Sequence, residues 1–109
     1  MEMEIEFIVT NYFARAARKL LGKEGVAGIQ AALKKDPEAG DVISGGKGLR
    51  KLRFALPGRG KSGGVRVIYF YLSMPQKKCF LFEIYAKADR ANLTDKEVNV
   101  LAKFIATLK

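Results

Sequence analysis

The chain has 109 residues, the size of one small domain, and 49% of them are hydrophobic, enough for a packed core. It holds no histidine and one cysteine, Cys79, which excludes the commonest general base, an internal disulfide, a cysteine-built zinc site and an iron–sulfur cluster; neither metal nor cofactor is expected. The formal net charge is +9, no apolar run approaches the roughly 20 residues that span a bilayer, and the acidic start MEMEIEFIVT lacks the basic n-region of a secretory signal, so a cytoplasmic protein without membrane contact is expected.

Glu4 to Thr10 alternates and is rich in β-formers, which predicts a first strand. Asn11 is expected to cap a helix over about Tyr12 to Leu21, with Phe13, Ala16, Ala17, Leu20 and Leu21 on its apolar face and Gly22 closing it. A second helix over about Glu24 to Lys35 presents Val26, Ile29 and Leu33, and Asp36-Pro37 ends it because the residue before proline is pushed out of the α region. Asp36 to Gly48 reads as a Gly-rich connection. Leu49 to Leu56 and Val65 to Ser73 are the next strands, joined by PGRGKSGG, and Lys78 to Lys87 follows a Met-Pro turn. Thr94 and Glu97 form a T-x-x-E capping box for a last helix with Val98, Leu101, Ala102, Ile105 and Leu108 buried. The order β-α-α-β-β-β-α, with no repeat or linker, predicts a single α+β domain over residues 1–109 with a largely antiparallel sheet.

The charge is unevenly placed. From Val42 to Phe82 there is no Asp or Glu, while Lys47, Arg50, Lys51, Arg53, Arg59, Lys61, Arg66, Lys77 and Lys78 all fall there; the rest of the chain balances 11 basic against 11 acidic residues. A concentrated block of this kind suits a phosphate backbone or an acidic partner better than a merely solvated surface. Within it, ALPGRGKS (Ala55 to Ser62) fits a relaxed Walker A pattern, but a phosphate-binding loop needs a helix after it, and GGVRVIYFY reads as a strand. The segment is better taken as a basic hairpin loop in which Arg59 and Lys61 contact phosphates.

Period-two geometry sets Leu52, Phe54 and Leu56 on one face of their strand and Lys51 and Arg53 on the other. Arg66 opens a strand that is apolar on both faces, hence central and covered, where a charge is rarely placed without a partner. If opposed residues of this hairpin sum to an odd number, Lys51, Arg53 and Arg66 share a face; if even, they do not. The eight-residue loop permits either register. Tyr69, Phe70 and Tyr71 read as core rather than as base-stacking residues.

A Lys/Arg cluster can cleave RNA with neither histidine nor metal. The ribose 2′-OH is the nucleophile, a lysine among other cations is more available as a base, and an arginine fork stabilises charge accumulating on the phosphate.

GLRKLRFALPGRGKSGGVRVIYFY, Gly48 to Tyr71, resembles the core of RelE/ParE toxins, most closely their HigB-like branch, and EIYAKADRANLT, Glu83 to Thr94, resembles the matching stretch from last strand to last helix. Length and element order agree over almost the whole chain. The resemblance implies a RelE-like fold and a ribosome-dependent, metal-independent endoribonuclease acting on mRNA. It also implies a cognate antitoxin, HigA-like with a helix-turn-helix, and a toxin–antitoxin hetero-oligomer. Carried over by position, it makes Lys51 the base, Arg53 and Arg66 the transition-state clamp, and Lys87 the basic residue ending the last strand. Arg50, Arg59, Lys61, Tyr85 and Arg90 are the expected RNA contacts. Where the RelE pattern has an arginine just past the last strand this chain has Ala88, and no tyrosine follows Tyr85, so Lys87 or Arg90 stands as the acid. The rival readings are a ParE-like inhibitor of DNA gyrase, a non-catalytic RNA-binding module and a purely structural partner protein.

Overall fold

A computed structural model describes residues 4–55 and 64–109. Its elements are β1 (Glu6–Val9), α1 (Asn11–Leu21), α2 (Gly25–Lys35), β2 (Asp41–Val42), β3 (Arg50–Phe54), β4 (Val65–Leu72), β5 (Lys78–Ala86) and α3 (Asp95–Leu108). The expected α+β order holds, with one short addition: two residues of the Gly-rich connection, β2, pair antiparallel with β3. A second difference concerns the start of α1. Thr10, not Asn11, is the cap, because Thr10 keeps extended backbone (φ −74°, ψ 156°) and its hydroxyl accepts from the Phe13 N–H, whereas Asn11 is already helical. The predicted capping box at Thr94 and Glu97 is present in full.

The strands form one sheet in the order β1-β5-β4-β3-β2, parallel only between β1 and β5. β4 is therefore central, as its two apolar faces require. On one face Leu52, Val67, Tyr69, Leu81 and Ile84 pack with Phe13, Ala17 and Leu21 of α1 and Ile29 and Leu33 of α2. The opposite face is covered by α3, whose Val98 and Ile105 meet Leu49, Ile68, Phe70 and Tyr85. A bulge sets the contents of this second face. Ile68 faces Glu83 but Tyr69 faces Leu81, so Phe82 is an extra residue in β5. Phe82 stacks beside Phe80 with ring centroids 6.2 Å apart, and Phe104 of α3 meets the two rings edge-on at 5.8 and 6.2 Å.

Cys79 lies wholly inside the first core, and burial pushes its thiol up to about 12. Since the thiolate is the reactive form, native protein is expected to resist Ellman's reagent at neutral pH and to release one equivalent of chromophore only in denaturant. Stoichiometric labelling of folded protein would contradict this packing.

Candidate active site

Helix α3 covers only part of its sheet face, and the hairpin register decides what the uncovered part holds. Arg53 lies opposite Arg66, Lys51 opposite Ile68, and Arg66 opposite Tyr85. The opposed pairs sum to odd numbers, so Lys51, Arg53 and Arg66 share a face. Two rows cross the sheet there: Asp41, Lys51, Ile68 and Glu83, and beside it Arg53, Arg66 and Tyr85. Directly opposed like charges disfavour strand pairing. Even so, no carboxylate forms an ion pair with Arg53 or Arg66 among the described residues; the Arg66 guanidinium makes only a long bond, 3.4 Å, to the Val65 carbonyl.

The surface closes here into an open cleft of about 300 Å³ lined by Arg53, Phe54, Ala55, Gly64, Arg66 and Lys87. Two of these lining residues are tied by the Lys87 N–H donating to the Gly64 carbonyl at 3.1 Å. Lys51 does not line the cleft; it stands two residues along β3 from Arg53, about 7 Å away by strand rise, with its Nζ donating to Asn92 Oδ1 at 2.6 Å. Among the described residues no group of His, Cys, Asp or Glu side chains could hold a metal ion. What the cleft offers is converging cationic N–H donors, the chemistry of phosphate recognition.

The other expected RNA contacts divide. Arg50 lies apart from the cleft: it shares the face of Leu52 and Phe54, donates to the Glu38 and Gly40 carbonyls at 3.1 and 2.7 Å and pairs with Glu38, on the opposite side of the sheet. Arg59 and Lys61 lie outside the described residues, as does Leu56. Tyr85 is 8% exposed, and the Arg90 guanidinium sits 4.9 Å above its ring, so a base reaches that ring only if Arg90 moves. Burial raises the Tyr85 phenol above its ordinary value, against the cations Arg90 and Arg66. Asn92 went unforeseen. It is 41 residues from Lys51 in a polar turn, and nothing local marks it.

Arg90 is also bonded to Glu97, the third residue of α3, and that bond with the Thr94 N–H holds the Glu97 carboxyl below its ordinary value. A depressed carboxylate contributes stability above its unfolded value and loses it as pH falls through the folded one. Glu83 runs the other way, raised chiefly by burial, so its protonation on acidification favours the fold. Acid is therefore expected to fray the start of α3. Melting profiles across the carboxylate range should fall less steeply for Glu97→Gln than for wild type, and parallel profiles would refute the assignment.

A five-stranded sheet with helices on both faces and an open cationic cleft at its uncovered end defines a small basic α+β domain. Residues 6–109 match the model of the RelE toxin of the RelE/RelB toxin–antitoxin system, and the chain belongs to that family. Its fold is similar to that of a mutant of E. coli toxin RelE solved in the free state, with a TM-score of 0.59 and 18% identity, covering 94% of this chain and 98% of that one. No helix among the described residues is long and apolar enough to cross a membrane.

Proposed function

We propose that this toxin is an mRNA endoribonuclease that works in the translating ribosome, with its cleavage site on the uncovered sheet face. The observation that carries the reading is the register that sets Arg53 against Arg66, with Lys51 on the same face and Lys87 across the cleft. Lys51 takes the proton of the ribose 2′-OH. The O2′–P bond forms as the P–O5′ bond breaks, which leaves a 2′,3′-cyclic phosphate on one fragment and a 5′-hydroxyl on the other. Arg53 and Arg66 hold the phosphate oxygens as negative charge accumulates. Lys87, which lines the cleft, supplies the proton to the departing O5′; Arg90 is engaged by Glu97 and Tyr85 and serves the site by position instead. DNA lacks the 2′-OH and is not cut.

Family membership supports a cognate antitoxin as partner. An acidic or amphipathic antitoxin, HigA-like with a helix-turn-helix, would neutralise the cationic face in a toxin–antitoxin hetero-oligomer. The testing experiment is primer extension on mRNA from cells briefly expressing the chain, beside a Lys51→Ala/Arg66→Ala double variant. Translation-dependent cuts that vanish in the variant are expected. Growth arrest with intact messages would replace this reading with gyrase inhibition, and binding without cleavage would replace it with an RNA-binding module.

A further inference from the structure

Resting on the nuclease reading above, we infer that Asn92 is a positioning residue that holds the Lys51 amine in register for the 2′-OH. The contact joins residues 41 apart in sequence: Lys51 Nζ donates to Asn92 Oδ1 at 2.6 Å. A lysine amine rides on a flexible four-carbon stem and loses much of its usefulness as a base if its lone pair wanders. The turn that carries Asn92 is itself braced at several points. The Tyr85 hydroxyl donates to the Ala91 carbonyl at 3.4 Å, and Arg90 Nε donates to the Asn92 carbonyl at 3.3 Å. Arg90 in turn lies on the Tyr85 ring and binds Glu97, while the Thr94 capping box fixes the far end of the turn to α3. Asn92 thus offers Lys51 a fixed acceptor from outside the sheet.

The type of residue matters as much as its place. A neutral amine donating one N–H to the Asn92 carbonyl oxygen keeps its lone pair available, and an uncharged amide holds the nitrogen without locking a proton on it. A carboxylate in the same place would favour the ammonium. On the sheet the charged groups on the face of Lys51 are Asp41 opposite it on β2, Arg53 on its own strand, Arg66 diagonally across on β4 and, two strands over, Glu83, and the turn that carries Asn92 adds Arg90. None of the carboxylates among the described residues reaches ion-pair distance of Lys51.

The experiment measures single-turnover mRNA cleavage in a reconstituted translation reaction, at saturating toxin and across pH, for wild type, Asn92→Ala, Asn92→Asp and Lys51→Ala. Ribosome binding and thermal melting are followed for each. Asn92→Ala is expected to lower the cleavage rate about 10-fold while binding and melting stay at wild-type values. Asn92→Asp is expected to move the pH–rate profile up by about one pH unit, because the new carboxylate holds the lysine proton. Wild-type rates and profiles in both variants, with Lys51→Ala inactive, would overturn the role of Asn92 and leave the nuclease standing. A rate lost only in proportion to melting would overturn it as well, reducing Asn92 to a brace of the turn. A wild-type chain that cuts no message would remove the nuclease reading and this inference together, whereas an active Lys51→Ala variant would overturn Lys51 as the base, and the role of Asn92 with it, and leave the nuclease standing.

Discussion

Replacing Arg66 by alanine is expected to slow mRNA cleavage by roughly 100- to 1,000-fold, the usual loss when one fixed donor to a developing oxyanion is removed. Arg66 is half-buried on the central strand, where its backbone is held by β3 on one side and β5 on the other, so its guanidinium is aimed by the most rigid part of the sheet. Arg66→Lys should recover only part of the loss: it restores the charge but not the planar fork that grips two phosphate oxygens. Stability should not suffer. Arg66 faces Arg53 with no carboxylate between them, so the alanine variant relieves a like-charge opposition and is expected to melt at or slightly above the wild-type temperature. Primer extension in a translating extract, beside a thermal melt of the same preparations, checks both halves. Cleavage within a few-fold of wild type would exclude Arg66 from the phosphate clamp, and a collapsed melting temperature would show its role to be structural.

The two-faced design of the sheet was legible because strand periodicity is short-range. Leu52 and Phe54 against Lys51 and Arg53, and the apolar pattern of Val65 to Leu72, each state their own face. The same parity that pairs Lys51 with Arg53 also puts Arg50 with Leu52, so the opposite-side placement of Arg50 was available from the alternation alone. Other features depend on contacts remote in sequence. The register of β3 against β4 spans a loop that permits either parity, and only packing of the whole sheet selects the one that gathers the cations. The bulge at Phe82 shifts which residues of β5 face α3, and nothing local to that strand announces it. Asn92 meets Lys51 only because the turn before α3 folds back over the face. β2 is two residues long, too short for a periodic signal.

The division of the second sheet face follows from the length and placement of α3. Of its buried stripe, Val98 and Ile105 pack with Leu49, Ile68, Phe70 and Tyr85, while Arg53 is exposed and Arg66 half-buried. Extending the helix over the uncovered end would bury Arg53 and Arg66 without partners, a cost of several kcal/mol per ion. The acid-free stretch that looks costly in sequence is therefore tolerable in the fold, because Arg53 and Arg66 stay open to water.

Tyr69→Phe is expected to destabilise the protein by about 2 kcal/mol, a drop of roughly 8–16 °C in melting temperature for a domain of this size, without touching the cleft. Sequence periodicity assigns Tyr69 to the core, and its ring is there, fully buried, with burial pushing the phenol up to about 12. Its hydroxyl, however, reaches the turn between α2 and β2 from beneath and serves it as both acceptor and donor. It accepts from the Gly40 N–H at 3.0 Å and donates to the Pro37 carbonyl at 2.8 Å. Phenylalanine would keep the packing and leave that donor and acceptor buried without partners, and the unmet groups rather than lost apolar contact set the cost. The turn leaves no slack for rearrangement: a Cβ at Gly40 would come within 2.8 Å of the Tyr69 ring and 2.9 Å of the Lys51 carbonyl oxygen. Because the Gly40 carbonyl also receives the Arg50 guanidinium, loosening this turn frees β2 and the edge of β3 together. The variant should therefore cut mRNA at the wild-type rate well below its melting point and lose amide protection first in Gly40 to Val42. A melting temperature within 2 °C of wild type would show that the turn is held by its backbone alone.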